Sequence, residues 1–426
     1  MNKAKYKPWF FGLAAGVLSA CLMNTAAASR HEAAEQGKTV VHTAPVPQDK
    51  ARTTTFKERI QAILMEGRRK TRPSGEVWRE TSRVMHQLPM TSRDEGGTLL
   101  FSDSPEYVTE DGVLYRDTVQ GDARVFYYHL NQTDVPKKVA VVLDNAYDGL
   151  TTVRITKGGC GAPDEDYLKV GRTVQMQYFA RDMSEVIVLP RGMGRLLRPQ
   201  MNEILLQPGQ LVAGMYDFHA DHPVTVSVLM LPADGDPVTA SRSLPVLPKD
   251  AMRLRGTFAG MNRVVTAAKT YCTDEDGIMY FPLADNLTDK YREGIDATDG
   301  SRVVNEGNYG IVYTIRVPMS GSLAAQYYLS PLGGVYAGAM QVRDGAVGPN
   351  LLPTPQSRPY FGDRTPPEPA NVEWAREHGT AILARNTELT DLGLYHTSQK
   401  PCFLFSPPGA SNLPVNFILM PARDSK

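Results

Sequence analysis

The sequence predicts an all-β protein, built as two tandem antiparallel β-sandwiches of the jelly-roll or Greek-key kind. Three observations indicate this class. After Gly97, short segments rich in aromatic and β-branched residues recur, Gly, Pro and Asp turns separate them, and the pattern occurs twice along the chain. Short strands at regular spacing between turn residues are typical of sandwiches and barrels.

The first 28 residues predict export from the cytoplasm. Lys3, Lys5 and Lys7 precede an apolar run over residues 9–22, and Ala26–Ala28 follow it. A basic segment, a short apolar segment and small residues at the cleavage site form a secretory signal. The apolar run is shorter than the roughly 20 residues that a membrane-spanning helix needs. We therefore expect an extracytoplasmic protein, secreted or at the cell surface or envelope, with no nucleic acid as partner.

Two processing sites remain open. Leu18-Ser19-Ala20-Cys21 resembles the lipobox of bacterial lipoproteins, in which the cysteine carries the lipid, whereas ordinary cleavage after Ala28 discards Cys21. Leu22 and Met23 continue the apolar run, where a lipoprotein usually begins a polar tether. A lipid on Cys21 is the membrane anchor that the sequence suggests.

Residues 29–96 predict a polar, basic leader with one helix. Phe56, Ile60, Ile63 and Leu64 fall at i, i+4, i+7 and i+8, which is the apolar stripe of an amphipathic helix. Two interpretations remain open: a basic stalk that rests on anionic wall polymer or lipid headgroups, and a solvated linker whose helix docks on the first sandwich.

The two sandwiches are predicted at residues 97–240 and 241–426. The strand patterns cover 124–130, 137–143, 151–156, 174–178, 209–218, 223–231, 310–316, 324–329 and 402–405. Leu229-Met230-Leu231-Pro232-Ala233 resembles Leu419-Met420-Pro421-Ala422, so each sandwich is expected to close with the same hairpin, as after a tandem duplication. The Pro-rich stretch 349–369 is predicted to be a surface insertion in the second sandwich.

Charge and cysteine content exclude several classes. Lys and Arg together number 46, as do Asp and Glu, so net charge favours neither nucleic acid nor an anionic membrane. Cys160, Cys272 and Cys402 remain after export, and their spacing matches no metal motif. Only Cys272 and Cys402 share a predicted sandwich, so one bridge at most is expected, and three free thiols are favoured.

Two acidic turns are weak metal candidates. His219, Asp221 and His222 offer imidazoles and a carboxylate within four residues, yet turn residues occupy the matching place in the second repeat. Asp274 and Asp276 resemble part of a calcium loop, but the chain lacks the glutamate that an EF-hand has at its twelfth position. We expect no cofactor, with calcium as the one weak alternative.

The sequence contains no complete catalytic motif. It lacks a Gly-x-Ser-x-Gly elbow and an H-E-x-x-H zinc motif, and nothing selects a pair of glycosidase carboxylates. Five tyrosines are candidates for a sugar-stacking platform or for the sandwich cores: Tyr127, Tyr128, Tyr327, Tyr328 and Tyr336. We therefore expect a non-enzymatic structural or binding protein of the envelope that contacts wall polymer or glycan. The alternative is a glycan-active hydrolase on a β-sandwich scaffold.

Several segments resemble a group of uncharacterised exported bacterial envelope proteins. They are Ser102–Glu106, Gly112–Asp117, Gly209–Val212, Arg253–Phe258, Asp296–Gly300 and Asn308–Gly310. Members of this group often carry a copper amine oxidase-like N-terminal domain that is not itself the oxidase, and no such module is seen in residues 30–95. The resemblance covers roughly Leu99 to Ala422. It implies an envelope location and implies no activity, catalytic residue or copper site.

Overall fold

Strands dominate the molecule. The computed structural model describes residues 84–180, 182–345, 347–356, 358–362, 380–382 and 389–422. These residues form 25 strands, numbered along the chain, and two α-helices, α1 (Tyr167–Ala180) and α2 (Pro237–Ser243). The predicted all-β, sandwich-type fold is confirmed. The signal, Cys21 and the predicted leader helix lie outside the described residues.

An 11-stranded mixed sheet, called sheet 1, forms the first layer. Its strands are β3 (Thr98–Ser102), β4 (Tyr107–Val108), β5 (Gly112–Asn131), β6 (Lys137–Asn145), β7 (Thr151–Asp164), β8 (Asp182–Leu189), β9 (Gly194–Leu196), β10 (Leu211–Pro232), β11 (Arg255–Ala259), β15 (Arg292–Asp296) and β16 (Ser301–Asn305). β10 pairs antiparallel with β5 along nearly its whole length. On its other side β10 pairs first with β7 and then with β6.

Two six-stranded sheets form the remaining layers. Sheet 2 contains β1 (Val84–Gln87), β14 (Met279–Leu283), β19 (Ala324–Pro331), β22 (Thr380–Ile382), β23 (Thr390–Tyr395) and β25 (Val415–Ala422). Sheet 3 contains β2 (Met90–Glu95), β12 (Asn262–Ala267), β17 (Val312–Arg316), β20 (Gly338–Asp344), β21 (Val347–Thr354) and β24 (Cys402–Phe405). β13 (Tyr271–Cys272) and β18 (Met319–Ser320) form a separate short ribbon.

Aromatic rings join sheets 2 and 3. Phe403 of β24 lies 5.1 Å from Tyr327 and 5.0 Å from Phe417, measured between ring centroids. Stacked and edge-to-face rings at such distances add to the energy of burial itself. Of the five tyrosines expected on a platform or in a core, Tyr127, Tyr327 and Tyr336 are almost fully buried, Tyr128 is buried and Tyr328 is half-buried.

Sheet 1 lies between two hydrophobic cores. On β3, Leu99 and Phe101 belong to the core shared with sheets 2 and 3, whereas Leu100 belongs to a second core. On β5, Phe126 faces the first core and Tyr127 the second. Side chains alternate between the faces of a strand, so each strand that is apolar at every position serves both cores.

Residues 174–178, predicted as a strand, are helical, and this prediction is wrong. Val170, Val174 and Tyr178 lie on one buried face at i, i+4 and i+8. Val174 and Tyr178 also fit the alternating pattern of a strand. Five residues were therefore too few to distinguish the spacing of a helix from that of a strand. Asp166 caps the helix by accepting a hydrogen bond from the Lys169 amide at 3.0 Å.

No described helix is long and apolar enough to cross a membrane.

The predicted closing hairpins are also wrong. In the first repeat the chain does not reverse, because β10 continues through the predicted turn with a register shift between Ala220 and Val224. A bulge accommodates extra residues while the strand keeps its direction. In the second repeat β24 lies in sheet 3 and β25 in sheet 2, so they are not neighbours in one sheet.

Contacts cross the predicted boundary at residue 240. β11 pairs antiparallel with β3, from Arg255 opposite Ser102 to Ala259 opposite Thr98. The described strands begin at Val84 rather than at residue 97, and β1 and β2 pair with β14 and β12. The two-sandwich division itself stays a prediction.

The Pro-rich stretch begins as ordered structure. Its first residues belong to β21, which pairs antiparallel with β20. Beyond this strand, the Arg172 guanidinium of α1 donates to the carbonyls of Pro355, Arg358 and Pro359. The remainder of the predicted insertion, from residue 363 onward, lies outside the described residues.

Candidate functional site

The three residues of the first metal candidate have separate partners. His219 Nδ1 lies 2.7 Å from Asp122 Oδ1, and Asp221 accepts a hydrogen bond from the Thr152 amide at 2.7 Å. His222 stacks on Tyr147 with ring centroids 3.9 Å apart. The amide of Thr152 lowers the pKa of Asp221 by stabilising its charged form. These contacts therefore hold β10 to neighbouring segments of the chain.

The second candidate, Asp274 and Asp276, also closes turns. Asp274 accepts hydrogen bonds from the Ser322 amide at 2.8 Å and its hydroxyl at 2.9 Å. Asp276 accepts from the Cys272 amide and from Lys269 Nζ, both at 2.8 Å. In the described part of the chain, no group of three or more His, Cys, Asp or Glu side chains is arranged to hold a metal ion.

A cleft opens where β8 leaves β7. The β7–β8 pairing ends at Lys157 opposite Asp182, and the next residues of β7 line an open space of about 410 Å³. We call this space the β7 cleft. Its lining residues are Gly158, Gly159, Gln177, Ala180, Met183, Arg198 and Tyr216. Its volume falls in the range of small-ligand sites.

Two glycines shape the floor of the β7 cleft. A Cβ atom on Gly158 would lie 2.2 Å from the Tyr216 ring, and one on Gly159 would lie 2.4 Å from the Val174 carbonyl oxygen. Only glycine permits such close approach of β7 to both neighbours. Gln177 crosses from α1 to β7, where its Oε1 accepts a hydrogen bond from the Cys160 amide at 3.1 Å.

Cys160 follows the two cleft glycines along β7. Burial raises the pKa of Cys160, which disfavours the nucleophilic thiolate. Its sulfur lies 3.5 Å from the Tyr127 hydroxyl. Cys272 and Cys402 are also free thiols in the structure.

A cluster of carboxyl groups lies after β3, and the sequence did not single it out. Burial, then the nearby Glu106 and Asp250 carboxylates, raise the pKa of Asp103 well above its usual value. Burial and Asp250 raise the pKa of Glu106 to about 7. Asp103 Oδ1 is buried with no hydrogen-bond partner in the described structure. We call Asp103, Glu106 and Asp250 the carboxyl cluster.

Hydrogen bonds hold the loop that carries the cluster. Asp250 accepts hydrogen bonds from the Ser104 hydroxyl and the Glu106 amide, both at 2.9 Å. Buried His129 links Ser102, 2.8 Å from its Nε2, to the Pro105 carbonyl, 2.9 Å from its Nδ1. A carbonyl only accepts, so Nδ1 carries the proton and Nε2 accepts from the Ser102 hydroxyl.

Four of the segments that carry the family resemblance meet at Arg255. Its guanidinium donates to Asp296 at 2.9 Å, to the Ser104 carbonyl at 3.1 Å and to the Leu114 carbonyl at 2.9 Å. Asp296 is fully buried, so the pair is desolvated and costly to break. These segments therefore form a structural junction beside the carboxyl cluster.

Sequence reasoning missed both the β7 cleft and the carboxyl cluster. Asp103 and Glu106 are close in sequence, but Asp250 joins them only through the fold. The glycine pair at 158 and 159 inside a strand was a usable signal, because such glycines mark close backbone approach.

Comparisons with known proteins supply no family. No protein-family model and no curated protein matches the chain. A deformed wing virus structure, from a honeybee pathogen, is 10% identical with a TM-score of 0.16, over 96% of this chain and all of that one. The 7S globulin of Momordica charantia is 9% identical with a TM-score of 0.10, over 79% of this chain and 83% of that one. Scores this low carry no argument about fold or function.

Proposed function

We propose that the protein is an exported, non-enzymatic module of the cell envelope that binds wall polymer or glycan in the β7 cleft. The cleft is the observation that carries this proposal, because it joins polar and apolar groups in one open space. The secretory signal supports the location.

The lining chemistry suits a sugar. The amide of Gln177 and the guanidinium of Arg198 offer hydrogen bonds to hydroxyl groups, while Met183 and Ala180 offer apolar surface to the C–H faces of a ring. Gln177 and Ala180 are exposed, so a ligand reaches them from solvent. Tyr216 is almost fully buried.

A co-sedimentation assay with purified cell-wall glycan tests the proposal. Arg198→Ala removes a lining side chain, and Arg195→Ala is the matched control because Arg195 is exposed but outside the cleft. We expect binding by the wild type and the control, and weaker binding by Arg198→Ala. The proposal fails if no envelope fraction binds at low or physiological salt, or if both variants bind equally well.

The anchor is tested separately. The intact mass of the protein from the membrane fraction distinguishes a diacylated Cys21 from a chain that begins at Ser29. Recovery of either form outside the cytoplasm supports export, while an unprocessed chain in the cytoplasm contradicts it.

The carboxyl cluster favours one second candidate, a glycan-active hydrolase. A carboxyl group with a pKa near 7 serves well as a general acid at neutral pH, and Glu106 has this property. A reducing-sugar assay on wall glycans tests this candidate. Activity that Glu106→Gln abolishes and Glu110→Gln retains supports it, and an inactive wild type removes it.

A further inference from the structure

Two ion pairs lie beside the β7 cleft in the part of the chain that the structure describes. Arg198 Nη1 donates to Glu185 Oε1, and Lys157 Nζ lies 3.2 Å from Asp182 Oδ1. The cations are the inner members, with side chains 18% and 14% exposed, whereas Glu185 is 46% and Asp182 is 82% exposed. In each pair the carboxylate is therefore the partner that is more open to solvent.

This order disfavours anionic ligands. A phosphate or carboxylate that approaches Arg198 must displace Glu185 and then remain beside its negative charge. Repulsion between like charges weakens the binding of an anionic ligand and so makes the site more specific. An uncharged hydroxyl does not incur this repulsion, and it can accept a hydrogen bond from a guanidinium that is already paired, because arginine has five N–H donors.

Among the described lining residues, the other polar side chains, Gln177 and Tyr216, are uncharged. Gln177 Oε1 is engaged by the Cys160 amide at 3.1 Å, which fixes the amide group and presents its nitrogen as a donor. Gly158 and Gly159 add backbone groups without side chains. A fixed amide and paired guanidinium match the hydroxyl and N-acetyl groups of a sugar.

We infer that the β7 cleft selects an uncharged glycan over an anionic wall polymer, an inference that rests on the proposed function. Glu185 is the specificity-determining residue, because its carboxylate already pairs with the Arg198 guanidinium that an anionic ligand would need. The ligand class is thus a neutral sugar chain, and phosphate-rich polymers are excluded by charge.

Calorimetric titration of the purified full chain with two probes tests this selectivity. The neutral probe is an oligomer of N-acetylglucosamine, and the anionic probe is poly(glycerol phosphate). We expect the wild type to bind the neutral probe with little change between low and high salt, because salt screens only charge interactions. We expect no measurable binding of the anionic probe.

Glu185→Gln provides the decisive variant, with Glu203→Gln as the control because Glu203 is exposed but does not line the cleft. Releasing Arg198 should make binding of poly(glycerol phosphate) measurable, and this binding should weaken as salt is added. The control should match the wild type.

Two outcomes separate this inference from the proposed function. Binding of the anionic probe by the wild type, or no gain in Glu185→Gln, overturns the charge selectivity and leaves glycan or polymer binding in place. Failure of the wild type to bind either probe or any wall fraction contradicts the proposed function itself.

Discussion

At the scale of single residues, the polar residues that the sequence analysis singled out mainly form hydrogen bonds between segments of the chain. The metal candidates Asp221 and Asp274 accept backbone hydrogen bonds from distant segments of the chain, at Thr152 and Ser322. The carboxyl cluster depends on Asp250, which local patterns do not connect to Asp103. Sequence reasoning finds residue types, but the burial that shifts a pKa is a property of the folded chain.

Glu106 makes stability depend on pH. Its folded pKa is raised from 4.5 to about 7, so the folded protein holds this proton more tightly than the unfolded chain does. The resulting stabilisation is complete below about pH 4.5 and is lost as pH rises through 7. We expect Glu106→Gln to be more stable than wild type at pH 8, by a few kcal/mol, and nearly equal to it at pH 4.5. Denaturant unfolding at both pH values measures this.

Glu110→Gln, an exposed acid in the same stretch, serves as the control and should show no such difference. A Glu106→Gln variant that is less stable than wild type at pH 8 would contradict the assigned environment.

Two buried tyrosines form a matched test of hydrogen bonding. The Tyr178 hydroxyl donates to Asp217 at 2.8 Å and accepts from Arg124 at 2.8 Å, whereas the Tyr336 hydroxyl lies beside the uncharged Thr354 hydroxyl. We expect Tyr178→Phe to lower the free energy of unfolding by about 1–3 kcal/mol and Tyr336→Phe to lower it by less, because hydrogen bonds to charged groups are the stronger ones. Equal losses, measured by denaturant titration, would count against these two environments.

At the scale of elements, the strands were predictable and α1 was not. Segments such as 137–143 alternate or run apolar over a length typical of strands, and β6 forms there. In α1 the spacing of apolar residues fitted both a helix and a strand. The packing of the segment in the folded protein determined that it is a helix. The sequence also did not reveal the bulge in β10. Asp and His residues that favour a turn are equally compatible with a bulge in a continuous strand.

Helix α1 fastens the two predicted halves, which gives a third prediction. A Cβ atom on Gly171 would lie 2.1 Å from the Gly409 carbonyl oxygen. Because this oxygen belongs to the backbone, no side-chain movement can relieve the clash. We expect Gly171→Ala to destabilise the protein by about 3 kcal/mol or more, comparable with strong overpacking. Gly348→Ala, where a Cβ meets nothing within 4 Å, is the control. Similar melting temperatures for both variants would refute the tight docking of α1.

At the scale of the whole molecule, the sequence predicts the fold class better than the connections. Recurrent strands and turns indicate all-β structure locally, whereas β3 and β11 pair across a long chain separation that no local pattern reveals. The hairpin repeat that suggested duplication does not exist as two equivalent structures, since β24 and β25 lie in different sheets.

Unfolding should reflect these cross-connections. Because β3 pairs with both β5 and β11, and α1 packs against β20, separating the halves would break a sheet and expose a core. We expect one cooperative calorimetric transition and mutual loss of protection after cleavage near residue 240. Two separate transitions, or two stable fragments, would instead establish the tandem domains as independent units.

Hydrogen–deuterium exchange with and without an N-acetylglucosamine oligomer tests the central claim, glycan binding in the β7 cleft, most directly. The account predicts slower exchange at Gly158–Cys160 and at the C-terminal turn of α1 around Gln177, with the carboxyl cluster loop unchanged. Protection confined to Asp103–Glu106, or no change anywhere at saturating glycan, would contradict it.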